Sequence, residues 1–82
     1  MVTKERLDKF INSLEEPAVF HRADIDCYYD DGHRTHQAVY NFQVLKEVLP
    51  LIPIEGLEFI NVTVQPSRDA IESVSWLKKD DI

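Results

Sequence analysis

Residues 24–36 read DIDCYYDDGHRTH and have the pattern of a β-hairpin around one glycine. Before the turn, polar and apolar residues alternate as they do in a half-buried strand. Asp31-Gly32 is typical of a two-residue type I′ turn, which needs positive φ at both central positions. This loop length would place Cys27 opposite His36. We therefore expect an antiparallel hairpin in that register.

The predicted register divides the hairpin side chains between two faces. The face toward the core would carry His21, Ala23, Ile25, Cys27 and Tyr29 against Arg34, His36, Ala38, Tyr40 and Phe42. The outer face would carry Arg22, Asp24, Asp26, Tyr28 and Asp30 against His33, Thr35, Gln37, Val39 and Asn41. A one-residue slip moves every side chain of a strand to the opposite face, so the register decides which residues meet.

An amphipathic helix is predicted for residues 3–15. Its apolar residues recur with helical spacing at Leu7, Phe10, Ile11 and Leu14. Thr3 is in position to cap the first turn. Pro17 is expected to end the helix, because proline disfavours the α conformation in the residue before it.

The segment 44–56, VLKEVLPLIPIEG, predicts a second, shorter helix, which Pro50 interrupts and Pro53 closes. The apolar stripe of this helix is expected at Val44, Leu45, Val48 and Leu49. Residues 57–65, LEFINVTVQ, are rich in β-branched side chains and predict a third strand.

The tail, residues 69–79, is open to two interpretations. Asp69-x-x-Glu72 resembles a capping box, which favours a helix. Alternatively, IESVSW has poor helix propensity and would form a fourth strand pairing on residues 57–65. With the helix preferred, the order is α-β-β-α-β-α. We expect one α+β domain over residues 1–82, with an antiparallel sheet of three or four strands packed against helices.

Composition narrows the class of partner. The 82 residues include nine basic and fifteen acidic side chains, which give a net charge of −6. Nucleic acids and anionic lipids repel such a domain, so we expect no direct binding to either. The single cysteine excludes an intrachain disulfide, and no apolar run approaches the roughly 20 residues of a membrane span or the length of a signal peptide. These features predict a cytoplasmic protein.

A zinc site would draw on Cys27, His33 and His36, with His21 as a fourth ligand. Structural zinc sites usually take two ligands from a tight knuckle such as C-x-x-C, which this sequence lacks. The predicted register also separates His33 from the other two side chains. We therefore expect no metal site.

Two further arrangements could support catalysis. Cys27 and His36 as a cross-strand pair would have Cβ atoms about 5 Å apart, close enough for a thiolate–imidazolium pair. No segment supplies the oxyanion donors that such a nucleophile needs. Asp24-x-Asp26 could flank a cation, but the pattern is common by chance and no phosphate-binding loop accompanies it. We predict no catalytic residue and no cofactor.

The leading hypothesis is a small, acidic, non-enzymatic protein-binding domain of the inhibitor, immunity or regulatory-subunit type. Its contact residues would be those of the acidic hairpin face, Asp24, Asp26, Tyr28, Asp30 and Asp31. The partner would be a protein with a basic surface. Two alternatives remain open: a small metal- or thiol-dependent enzyme using Cys27 and His36, and a structural subunit of a larger assembly. The sequence does not indicate the oligomeric state.

Overall fold

The computed structural model describes residues 2–17, 19–65 and, for the backbone, 73–78. It confirms the predicted α+β class. The elements are α1 (Lys4–Ser13), β1 (Arg22–Tyr29), β2 (Arg34–Val39), α2 (Phe42–Val48), a 3₁₀ turn (Leu49–Leu51), β3 (Leu57–Gln65) and β4 (Ser73–Lys78). Within the described ranges, no helix is both long and apolar enough to cross a membrane.

The four strands form one antiparallel sheet in the order β2-β1-β3-β4. Both helices pack on one face of it, so β1 and β3 contribute every second side chain to the core. One cluster of buried residues joins the two layers. Its members are Val2, Leu7, Ile11, Ala23, Ile25, Cys27, Tyr29, Val39, Phe42, Leu45, Leu49, Leu57, Ile60, Val62 and Val64.

The prediction for α1 is confirmed. The Thr3 hydroxyl accepts a hydrogen bond from the backbone N–H of Arg6 at 3.2 Å, as expected of an N-cap. Leu7 and Ile11 are buried, whereas Phe10 and Leu14 pack at the margin of the core. The helix ends at Ser13, before Pro17.

The second helix begins two residues before the predicted segment. The Asn41 side chain accepts hydrogen bonds from the backbone N–H groups of Gln43 and Val44, which fixes the first turn. The buried side chains of this helix and the following turn are Phe42, Leu45 and Leu49. Val44 is 41% exposed, so its assignment to the apolar stripe was wrong. Pro50 lies in the 3₁₀ turn that follows the helix, as the predicted interruption requires.

Strand β3 is confirmed over residues 57–65 and contains one β-bulge. Its pairing with β1 shifts between Tyr28 and Tyr29, which leaves Glu58 as the extra residue. Leu57 and Ile60 are therefore both fully buried, although they stand three residues apart and a regular strand would place them on opposite faces.

For the tail, the preferred helix was wrong and the alternative strand is confirmed over residues 73–78. This segment pairs antiparallel with β3, from Phe59 opposite Lys78 to Val64 opposite Ser73. As a strand, this segment gives hydrogen-bond partners to the backbone N–H and C=O groups on the edge of β3, which a helix would leave unpaired. This gain outweighs the weak helix propensity of the segment. Residues 69–72 and 79 of the predicted segment lie outside the described residues.

The predicted hairpin register was wrong by one residue. His36 lies opposite Asp26, and Cys27 lies opposite Thr35. All side chains of β2 therefore point to the face opposite the one predicted. Val39 is buried, whereas the side chains of Arg34 and His36 lie on the side of the sheet away from the helices.

The cause is a loop of three residues instead of two. The N–H of Tyr29 donates to the carbonyl of His33 and the N–H of Gly32 donates to the carbonyl of Tyr29, both at 3.0 Å. Gly32 has φ of +92°, whereas Asp31 does not have positive φ, so the turn is not of type I′. This geometry matches a turn that ends in a glycine bulge.

Candidate functional site

The outer sheet face is the side of the sheet turned away from the helices. We define it by Arg22, Asp24, Asp26, Tyr28, Arg34, His36, Phe59, Asn61 and Thr63. Strand pleating puts the β1 and β3 residues on this side because their alternate chain neighbours are buried on the other, and the pairing register places Arg34 and His36 beside them. Three of the predicted contact residues, Asp24, Asp26 and Tyr28, therefore share this face.

A network of polar side chains links the two aspartates. Asp24 Oδ1 accepts a hydrogen bond from Arg22 Nη2 at 2.5 Å and lies 3.3 Å from His36 Nε2. Asp26 Oδ1 lies 2.9 Å from His36 Nδ1, so the imidazole bridges the two carboxylates. The hydrogen bond and charge of Asp24 raise the pKa of Arg22 further above its usual high value. The aspartates are thus engaged within the molecule, which the sequence did not reveal because His36 was placed on the other face.

Aromatic rings make up the second part of this face. Tyr28 and Phe59 are stacked with ring centroids 5.4 Å apart. The guanidinium of Arg34 lies 5.9 Å from the centroid of Tyr28, and that of Arg22 lies 5.6 Å from the centroid of Tyr40. These are cation–π distances. The neighbouring strands therefore hold Tyr28 in a defined position.

The other two predicted contact residues lie in the hairpin turn. Asp31 Oδ1 accepts a hydrogen bond from the backbone N–H of His33 at 2.9 Å and lies 2.5 Å from its ring Nδ1. These bonds, that of the backbone first, lower the pKa of Asp31 below its usual value. The N–H of Asp30 donates to the carbonyl of Gly56 at 2.9 Å, which ties the hairpin turn to the turn before β3.

Asp31→Asn is expected to reduce stability at neutral pH, and this reduction is expected to vanish in acid. A carboxylate with a depressed folded-state pKa contributes stability above its unfolded pKa, and the contribution is lost as the pH falls through the folded value. Urea unfolding of both proteins from about pH 7 to about pH 2 measures the difference. Asp30→Asn controls for removing a charge from the same turn. A difference that persists at the lowest pH would contradict the expectation.

Cys27 is buried on the face opposite His36, so the thiol–imidazole pair considered in the alternative enzyme hypothesis does not form. Burial raises the pKa of the Cys27 thiol, which a side-chain hydrogen bond with Thr35 only partly offsets. The side chains considered for zinc do not converge either. Within the described ranges, no three histidine, cysteine, aspartate or glutamate side chains form a group that could hold a metal ion.

We expect native Cys27 to react with iodoacetamide at least about tenfold more slowly than the same residue in urea. The thiolate is the reactive form of cysteine, and the raised pKa of Cys27 lowers the fraction of thiolate. Burial also keeps the reagent away from the sulfur. Mass spectrometry of timed samples measures the rates. His36→Ala should leave the native rate unchanged, because the imidazole lies on the other side of the sheet. A fast native reaction that slows in His36→Ala would contradict this placement.

A groove that the sequence did not predict runs under β2, between the sheet and the chain that follows α2. Its volume is about 620 Å³. The residues lining this β2 groove are Ile25, Cys27, Tyr29, His33, Thr35, Gln37, Val48, Leu51, Ile52, Pro53 and Glu55. The Tyr29 hydroxyl donates to the carbonyl of Pro53 at 2.8 Å, and its ring stacks on that of His33 with centroids 4.3 Å apart. Thr35 and Gln37 reach the groove only in the observed register, so the predicted register concealed it.

Comparison with known proteins adds no relative to this description. No family model, no curated protein and no solved structure matches the chain. The geometry of the outer sheet face and of the β2 groove therefore carries the functional interpretation.

Proposed function

We propose that this chain is a small, non-enzymatic protein-binding domain of the inhibitor, immunity or regulatory-subunit type. It binds a protein with a basic surface through the outer sheet face. The supporting observation is the one-sided packing of the sheet. The described helices cover one face, and the other carries a polar and aromatic surface with its side chains already linked.

The linked side chains favour binding because fewer rotamers must be frozen when a partner docks. Ordering a flexible side chain at an interface costs about 0.5–1.5 kcal/mol. On this face, the His36 bridge holds Asp24 and Asp26, and the stack on Phe59 holds Tyr28. Tyrosine and arginine are also the residue types that contribute most strongly to interfaces.

Charge has a separate role in the proposal. Among the side chains that define the outer sheet face, two carboxylates and two guanidinium groups balance in number, so contacts with these residues are not dominated by net charge. The overall charge of −6, including Asp30 and Asp31 at the hairpin turn, attracts a basic partner from a distance. We therefore expect the association rate to fall with added salt, while the dissociation rate depends on Tyr28 and its neighbours.

Affinity purification with the immobilised protein and three variants tests the proposal. Tyr28→Ala removes the stacked ring from the outer sheet face, whereas Lys9→Ala removes an exposed side chain of α1 and serves as the control. Leu51→Ala alters the β2 groove. A specific partner should be retained by the wild type, Lys9→Ala and Leu51→Ala, and should bind Tyr28→Ala about 30-fold or more weakly, as expected when a central tyrosine is removed.

Circular dichroism must show that Tyr28→Ala keeps its fold before the comparison is made. Asp24→Lys is a poorer variant because it breaks two intramolecular contacts, with Arg22 and His36. Equal retention of every captured protein by the folded Tyr28→Ala variant and the wild type would refute the outer sheet face as the binding surface. Association rates that do not change with salt would refute the role of charge.

A further inference from the structure

In the part of the chain that the structure describes, strand β2 is an edge strand whose outer backbone groups have no partner. It stands at the end of the sheet order, and among residues 2–17, 19–65 and 73–78 only β1 pairs with it. The N–H of Tyr29 donates to the carbonyl of His33, so these two residues form a hydrogen-bonded pair. Along an antiparallel ladder, hydrogen-bonded pairs alternate with pairs whose backbone groups point outward. The N–H and C=O groups of Arg34, His36 and Ala38 therefore point away from β1. Proteins usually shield an edge of this kind because it can pair with another chain.

The β2 groove opens beside this edge. Val39 is buried at one end of β2, whereas Thr35 and Gln37, which line the groove, are exposed. Ile25 and Cys27 form the apolar floor. The wall across from them includes Leu51, which is 79% exposed.

We propose that the β2 edge and the β2 groove together bind one extended segment of a partner protein, which adds a fifth strand to the sheet. Alternate apolar side chains of this segment enter the groove, and a lysine or arginine lies near Glu55. This site lies on the helix side of the sheet, away from the outer sheet face. It does not depend on the function proposed for that face.

The backbone edge determines the conformation of the occupant. An extended chain satisfies the outward N–H and C=O groups of β2, whereas a helix or a small apolar molecule would leave them to water. Side chains opposite Thr35 and Gln37 would lie on the groove side, beside the exposed Leu51. Side chains at the intervening positions would project on the other side. The segment should therefore alternate with a period of two.

Charge complementarity determines the composition of the occupant. The groove lining contains Glu55 but no lysine or arginine. Asp31 lies beside the lining residue His33, which adds a second carboxylate at the same end. A basic side chain in the partner segment would meet these groups. A second copy of the chain is a weaker choice, because two molecules of charge −6 repel each other.

Selection from a phage-displayed library of random dodecapeptides against the immobilised wild-type protein tests this proposal. The Leu51→Glu variant serves for counter-selection, and Val19→Glu is its control, since Val19 is also exposed but lies outside the groove. The enriched peptides should alternate apolar and polar residues and contain lysine or arginine. Their affinity should fall at least about tenfold in Leu51→Glu and stay unchanged in Val19→Glu.

A backbone variant tests the strand pairing itself. Ala38→Pro removes an outward N–H without removing a donor from the β1 ladder, and Ala38→Val keeps the N–H as its control. We expect the selected peptides to bind Ala38→Val like the wild type and Ala38→Pro at least about tenfold more weakly. Amide shifts in NMR spectra should be largest from Arg34 to Ala38.

Several results would overturn the proposal. One is the absence of enriched peptides, and another is enrichment that Leu51→Glu does not reduce. Helical spacing or acidic composition in the enriched set would reject the proposed occupant. Sedimentation that shows a wild-type dimer, dissociated by Ala38→Pro and not by Ala38→Val, would assign the edge to a second copy of the chain instead.

Discussion

Leu45→Ala is expected to lower the free energy of unfolding by about 3 kcal/mol. Leu45 lies on α2, is fully buried and packs in the cluster that joins the helices to the sheet. Its truncation removes apolar contact and leaves a cavity that the surrounding strands can only partly fill. A domain of this size has a total stability of roughly 4–12 kcal/mol. The substitution therefore removes a large share of it.

Leu51→Ala is the matched control, because it makes the same chemical change at a side chain that is 79% exposed. We expect its effect to stay within about 0.5 kcal/mol. Thermal unfolding followed by circular dichroism should show the melting temperature of Leu45→Ala lowered by about 12–24 °C. Comparable losses for the two leucines would show that α2 does not pack as described.

Gly56→Ala is expected to destabilise the protein by about 2 kcal/mol. Gly56 has φ of +76°, a conformation that costs other residues about 1–2 kcal/mol. A Cβ atom there would also stand 2.8 Å from Asp30 Oδ1, so the carboxylate must move. Because the N–H of Asp30 donates to the carbonyl of Gly56, the substitution strains the point where two turns meet.

Gly32→Ala separates the two contributions. Gly32 also has positive φ, at +92°, but a Cβ atom at this position would have no neighbour within 4 Å. The Gly32→Ala variant should therefore lose only the free energy of unfolding that the unfavourable backbone conformation costs. In a double-mutant cycle, Asp30→Ala should recover part of the loss in Gly56→Ala and none of that in Gly32→Ala. Urea unfolding of the wild type, the three single variants and the two double variants gives the free energies, and additivity of Asp30→Ala with Gly56→Ala would contradict the steric account.

Local patterns predicted the elements that have one clearly apolar face. The helical spacing of α1 and the alternation of β1 were sufficient, because each has one clearly apolar face. The tail was wrongly predicted as a helix. Its structure depends on pairing with β3, and a short stretch of sequence does not reveal that pairing.

The register of β2 could not be deduced in the same way. Asp31-Gly32 fits both a two-residue turn and the observed three-residue loop, and the two differ by one position. A strongly apolar face would have resolved the ambiguity. As an edge strand, β2 has only Val39 fully in the core, so neither face of the strand is clearly apolar.

The candidate site was therefore predicted in part. Asp24, Asp26 and Tyr28 were placed together correctly because they lie on one strand. Their partners His36, Arg34 and Phe59 come from two other strands. The residue types of the surface are evident from the sequence, but the polar contacts and ring contacts depend on the pairing between strands.

The strand order also has a consequence for the rate of folding. The β1–β2 hairpin joins neighbouring segments, and such hairpins close in about 1–10 μs. The centre of the sheet instead joins β1 to β3, which pair Arg22 with Gln65 across β2 and α2. Closing that long loop costs entropy before the core compensates for it. We therefore expect the docking of β3 onto β1 to limit folding, so that core substitutions in these two strands slow refolding.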